Sequence, residues 1–232
     1  MFKNIDLISV NCTDPTAALC ALKYCQKYFK FNKTLLISHE NITDTNIDTH
    51  TISKLNSLNE YNDFILHLND YVESDHVLLI QDDGHIVNPD LWTDEFLQYD
   101  YIGAPWPSED SWISQQYLPQ QEYIRKYFPL NRVGNGGFSL RSKKFLKFAN
   151  QYLSCDGLGE DTFLCTRVYN EAIEYGIKFA PFELATQFSY ENPCTEHGFS
   201  WQSRIVFDKT KHFGWHGKNF INTSELMNLK YT

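Results

Sequence analysis

The apolar run His76–Ile80, HVLLI, is followed at once by Gln81, Asp82, Asp83 and Gly84. Val, Leu and Ile in that density are comfortable in a buried strand, and paired carboxylates with a glycine behind them end it abruptly. The segment therefore predicts a core strand with charge at its carboxyl end. In open α/β sheets that edge is where ligands bind. Adjacent hard oxygen donors suit Mg²⁺ or Mn²⁺ better than Zn²⁺, which points to a metal-assisted site for a phosphorylated ligand. The same residues also spell an ordinary solvated turn, since Asp bonds its own backbone and Gly tolerates turn geometry.

What flanks this strand alternates in period. Ile5 to Val10 reads as a buried strand, Asp14-Pro15 as an N-cap followed by proline at the first helical position, and Ala18, Leu22, Cys25 and Phe29 as one apolar stripe on a helix from Thr16 to Phe29. Lys33 to Ser38 is a second strand, and such a strand, helix, strand unit favours a parallel sheet. Residues 39–59 turn polar and read as loop with a short strand near Thr51, with no chemistry indicated. Glu60 to Val72 and Asp90 to Leu97 have helical spacing, and Tyr101 to Ala104 reads as a strand. Pro105 to Gln121, which holds three prolines with Trp106 and Trp112, is long and irregular, as functional lids and binding loops commonly are. A peripheral insertion has the same composition.

With 232 residues the chain buries roughly 70 to 75% of its unfolded surface, enough for one substantial core, so residues 1–232 are expected to form a single domain. A formal charge of -9 repels phosphodiester backbones and argues against nucleic acid as the partner. The six cysteines have neither zinc-ligand spacing nor the density of a disulfide scaffold and read as buried free thiols. Asp6 interrupts the only short apolar run near the amino terminus, and nowhere do 18 apolar residues follow one another, so the expectation is a soluble, cytoplasmic protein with no transmembrane segment.

Two further motifs carry chemistry. In Arg132 to Ser142, RVGNGGFSLRS, Gly134, Gly136 and Gly137 leave room for a ligand and permit positive φ, while Asn135-Gly136 alone would signal a type I′ hairpin turn. Lys143 to Leu153 then reads as helix. GLGEDTFLC, Gly157 to Cys165, sets Glu160 and Asp161 at the start of a helix running to about Tyr175, where carboxylates are favoured as caps.

Taken in order, a strand ending in Asp-Asp, a strand entered through a Gly-rich turn, Glu-Asp at a helix start and a C-terminal HFGWHGK resemble the glycosyltransferase-A (GT-A) family of nucleotide-sugar transferases. The resemblance spans Ile5 to about Lys218 and is closest to a small branch with Tyr-Ile-Gly-Ala-Pro-Trp, here Tyr101 to Trp106. It implies a Rossmann-like α/β fold, nucleotide-diphospho-sugar transferase in type, with a mixed, mainly parallel central sheet flanked by helices. It also implies metal-dependent transfer from a nucleotide-diphosphate sugar, expected to be UDP-linked, to an acceptor hydroxyl on a glycan, lipid-linked or protein substrate.

The family's metal motif is Asp-X-Asp, whereas this chain has Gln81-Asp82-Asp83. Asp83 is then the expected ligand of Mn²⁺ or Mg²⁺, with Asp82 binding metal, a metal-bound water or the ribose, and His216 completing the shell in competition with His212. Val10, Asn11 and Thr13 are expected at the base and ribose, with Gly136 and Lys218 also at the donor. Asp161 is the expected general base, with Glu160 orienting it or bonding the acceptor, and a base so placed favours inversion. Two other classes fit the acids: a metal-dependent phosphohydrolase or nucleotidyltransferase, for which Asn11 to Asp14 offers no phosphate-cradling loop, and a non-catalytic nucleotide-sugar or glycan-binding module. The C-terminal aromatics Phe213 and Trp215 are expected to anchor a tail that closes over bound donor.

Overall fold

The computed structural model describes residues 2–106, 133–191 and 210–217. Its main sheet grows from the amino-terminal unit: β1 (Phe2–Val10), α1 (Pro15–Gln26) and β2 (Phe31–Ser38), followed by β3 (Asp48–Thr51). Asp14 caps α1 by accepting from the Ala17 amide at 2.9 Å, and Pro15 occupies the first helical turn where its missing N–H costs nothing. Then come α2 (Leu58–Leu66), β4 (His76–Ile80), β5 (Gly84–Ile86), β6 (Tyr101–Gly103), β7 (Phe138–Ser142) and α3 (Lys143–Ala149). The acidic motif opens α4 (Glu160–Thr162), which runs through a π-helical turn at Phe163–Arg167 to α5 (Tyr169–Glu174). The last described elements are α6 (Phe182–Phe188), β8 (Ser189–Tyr190) and β9 (Gly214–His216).

Six strands lie in the order β3-β2-β1-β4-β7-β6. β1, β2, β3 and β4 pair in parallel, and β7 runs antiparallel to both β4 and β6. The chain leaves β1 for β2 and β3 on one side and returns to β4 on the other. That reversal opens a crevice at the carboxyl ends of β1 and β4. Side chains alternate between two cores: Ile5, Leu7, Leu78 and Ile80 pack on one face with α1, while Ile8, Val10, Val77 and Leu79 pack on the other beside Ile65 of α2. Covering both faces is what lets these strands be continuously apolar.

A three-stranded sheet, β5-β9-β8, is attached where β4 ends. Phe213, just ahead of β9, is fully buried against Phe29, Trp92, Phe96, Phe138 and Phe188. The C-terminal aromatics are thus partly core, not the anchors of a tail that seats only on ligand. The Gly-rich turn also differs from a type I′ hairpin, because none of Asn135, Gly136 and Gly137 has positive φ. Its glycines serve close approach instead: a Cβ on Gly137 would lie 2.1 Å from the His216 ring. Between Pro89 and Gln98 two 3₁₀ turns replace the expected helix, since Thr93 is extended and its hydroxyl caps the second turn. Pro107 to Gln121 and Lys218 lie outside the described residues.

Candidate active site

The crevice holds a cavity of about 480 Å³, lined by Val10 to Asp14 after β1, by Leu55 to Leu58 and Tyr61 at α2, and by Gln81 and Asp82 after β4. Val10, Asn11, Thr13 and Asp82 are therefore brought together. The Asn11 side chain is occupied locally, accepting from the amides of Thr13 at 2.7 Å and Asp14 at 2.8 Å, so it shapes the turn that forms one wall. The opposite wall comes from the polar segment that carried no expected chemistry. Ser57 caps α2 through the Glu60 amide, and Glu60 accepts from the Asn56 amide at 2.7 Å, which fixes the cavity rim. That Ser-x-x-Glu pattern was the available signal.

The acidic turn and the C-terminal strand meet beyond the cavity. Gly84 pairs with His216 across β5 and β9, which sets the imidazole against the end of β4. His216 Nε2 lies 3.1 Å from Asp83 Oδ1 and 3.1 Å from Gln81 Oε1, while Nδ1 lies 3.1 Å from Glu191 Oε1. Burial pulls the imidazole pKa down, but hydrogen bonds and charge from Asp83 and Glu191 reverse this and raise it to about 10. His212 is placed elsewhere, with Nδ1 2.6 Å from the Thr186 carbonyl oxygen and its ring against Tyr190.

Asp161 reaches the same region through the Gly-rich turn. Its carboxylate accepts from the Gly136 amide at 3.0 Å and from the Thr162 amide at 2.6 Å. Burial, then the neighbouring Glu160 charge, push its pKa up to about 7 against those two donors. Gly136 cannot carry a side chain, because a Cβ there would sit 2.4 Å from Glu160 Oε1 and 3.1 Å from Asp161 Cβ. One residue on, Gly137 abuts His216. Two adjacent glycines thus join the Asp161 carboxyl to the His216–Asp83 pair.

Glu160 is buried, and both of its oxygens are held by Arg141, at 2.8 and 3.0 Å. Its carboxylate is committed to that pair. Arg141, although inside the Gly-rich motif, and Glu191 were not singled out by the sequence. A charged residue at a core-facing position of β7 was the only signal for Arg141, and Glu191 had none.

The family model described as "Protein of unknown function (DUF5672)" matches residues 44–204. The chain belongs to the DUF5672 family. No curated protein matches it. Two solved structures of the galactosyltransferase LgtC share the fold of this DUF5672 chain. One, a complex with donor and acceptor sugar analogs, is 13% identical with a TM-score of 0.53 and covers 97% of this chain and 95% of its own. The other, an active-site mutant of LgtC, is 12% identical with a TM-score of 0.55 and covers 97% and 94%. At such identity the likeness establishes architecture. The DUF5672 chain has the GT-A fold.

Whether its residues suit the divalent ion of that fold can be tested on the donors present. Among the described residues no three His, Cys, Asp or Glu side chains form a ready cage. An ion that keeps water and takes phosphate oxygens as ligands needs no such cage. Neighbouring ligands of an octahedral ion at about 2.1 Å are about 3 Å apart, and Asp83 Oδ1 and His216 Nε2 are separated by 3.1 Å. Glu191 on Nδ1 holds the His216 ring as an outer carboxylate would hold that of a ligating histidine. The Asp83–His216 pair of the DUF5672 site therefore has the spacing of two neighbouring ligands, which is also that of an ion pair.

Proposed function

We propose that this protein is a glycosyltransferase, acting as one domain, that moves a sugar from a UDP-linked donor to an acceptor hydroxyl of a glycan, lipid-linked or protein substrate. In this reading it binds Mn²⁺ or Mg²⁺ and inverts the anomeric centre. One observation carries the proposal: through the adjacent glycines Gly136, whose amide donates to Asp161, and Gly137, which abuts His216, the Asp161 carboxyl is joined to the Asp83–His216 pair beyond the cavity.

Each group then has a role. The cavity walls from Val10 to Thr13 and from Asn56 to Tyr61 enclose the nucleoside, with Asp82 at the ribose side. Asp83 and His216 would hold the ion, with the imidazole in its neutral form and its proton released to solvent. When bound, the ion supplies fixed positive charge against the departing diphosphate. Asp161 accepts the proton of the attacking hydroxyl, and a carboxylate titrating near neutrality is a stronger base than an ordinary one. Lys218 is a further candidate for the diphosphate. Cys12, Cys25 and Cys155 are free thiols, which fits action in a reducing cytoplasm.

The test is incubation of the protein with UDP-sugars and Mn²⁺ while the anomeric proton is followed by NMR. The expected result is slow release of free sugar whose first-formed anomer is opposite to that of the donor. An α sugar from an α-linked donor would remove Asp161 from the role of base. Release of sugar phosphate and UMP would make the protein a phosphohydrolase, and tight binding with intact donors would make it a binding module.

A further inference from the structure

Arg141 is the bulkiest fully buried side chain among the described residues, and it sits in a core strand. Each of its three guanidinium nitrogens donates a hydrogen bond. Nη1 and Nη2 donate to the two oxygens of Glu160 at 3.0 and 2.8 Å, and Nε donates to Ser139 Oγ at 3.0 Å. The Ser139 hydroxyl in turn donates to the Gly136 carbonyl at 3.1 Å. The guanidinium face lies 5.3 Å from the centre of the Tyr101 ring, whose hydroxyl is 3.0 Å from the carbonyl oxygens of Gly134 and Asn135. Arg141 is therefore linked to three successive carbonyls of the Gly-rich turn and to the residue preceding Asp161.

Stability alone does not account for this arrangement. A buried ion pair costs several kcal/mol per ion in lost hydration, roughly what it regains, and apolar residues of equal volume commonly serve the fold as well. What the pair adds is direction, since a planar guanidinium fork holds a carboxylate in one orientation. The oriented groups border Asp161: the Gly136 amide donates to it, and Glu160 precedes it in α4.

We infer that Arg141 is a positioning residue for transfer: through Ser139, Tyr101 and Glu160 it fixes the Gly136 turn so that this amide holds the Asp161 carboxyl in place. The inference rests on the reading of Asp161 as the base, but its structural half can be measured without any substrate.

Two variants test it, Ser139→Ala and the paired apolar replacement Arg141→Met with Glu160→Leu. The first readout is hydrogen exchange at the Gly136 amide by ¹⁵N NMR, and the second is kcat and donor KM with UDP-galactose and Mn²⁺. Loss of positioning should speed Gly136 exchange about 10-fold or more and lower kcat about 10-fold in Ser139→Ala and about 10²-fold in the pair, with KM unchanged. Wild-type Gly136 protection in Ser139→Ala overturns the inference, also when the paired variant fails to fold. So does a rise in KM at constant kcat, which would assign these residues to donor binding. If the wild type leaves UDP-galactose untouched, or Asp161→Asn turns it over normally, the transferase reading fails for that donor, while Gly136 exchange still decides whether Arg141 holds the turn.

Discussion

Asp161 is a carboxyl on which burial and a neighbouring charge oppose two amide donors, and the raised pKa of about 7 has a consequence for stability. Between about pH 4 and pH 7 the unfolded chain has released this proton while the native state keeps it, so the native state binds more protons and stability falls as pH rises through that window. Below it and above it the contribution is flat. The slope is at most about 1.4 kcal/mol per pH unit and is smaller for a carboxyl that keeps some contact with solvent. Asp161→Asn should abolish the slope while lowering transfer about 10²-fold, because Asn retains the shape and an acceptor oxygen but has no basicity. Urea unfolding of both proteins at pH 4.5 and 7.5 checks this, and an equal difference at the two pH values would sink the assigned titration. The acids themselves were legible in the sequence because each sits at a junction of periods, Asp82 and Asp83 where a strand stops and Asp161 where a helix starts. Arg141 and Glu191 were not, since their meaning lies in contacts across 19 and 25 positions that no local pattern encodes.

At the scale of elements, long strands and capped helices were readable and short ones were not. β1, β2 and β4 have enough alternating Ile, Leu and Val to fix both faces, and Asp14-Pro15 fixes the start of α1. β9 has only Gly214–His216, too few residues for any period, so its place between β5 and β8 is settled by tertiary packing. Phe213 shows the effect. A residue that anchored only a ligand-seated tail would matter little to the free protein, whereas here its ring touches five aromatic side chains and has no exposed surface. Phe213→Ala should cost about 3 to 5 kcal/mol of stability without any ligand present. A loss under about 0.5 kcal/mol by urea unfolding, the scale of surface substitutions, would return the segment to the role of a tail. Gly137→Ala probes the neighbouring element, because its methyl group would meet the His216 ring at 2.1 Å. Mn²⁺ binding in that variant, followed by calorimetry in the presence of UDP, should weaken about 10-fold or more, as for loss of an outer contact that orients a ligand. Unchanged affinity would remove His216 from the metal shell.

On the scale of the whole molecule, the topology puts two unlike binding surfaces side by side. The parallel half of the sheet ends in the cavity between β1 and β4, and the small sheet carries His216 to the acidic turn. In the proposed reading a nucleoside would occupy the first and an ion the second, and a diphosphate is the chemical group that would span both. Gln81 stands where a third acid would strengthen ion binding, and its amide oxygen faces His216 while its nitrogen donates to the Tyr61 hydroxyl of the cavity wall at 3.4 Å. With one carboxylate fewer, an ion bound there would be held weakly without phosphate oxygens in its shell. Metal and nucleotide should therefore stabilise the protein together more than the sum of their separate effects. A ligand at 100 times its dissociation constant adds about 2.7 kcal/mol, which for a domain of this size raises the melting temperature by roughly 5 to 10 °C. The expected pattern is a small shift with Mn²⁺ alone, a small shift with UDP alone and a shift in that range with both, lost in Asp83→Asn and retained in Asp161→Asn. Shifts that merely add would separate the cavity from the Asp83–His216 pair, and a nucleotide that binds equally well with a chelator present would leave the ion no part in holding the donor.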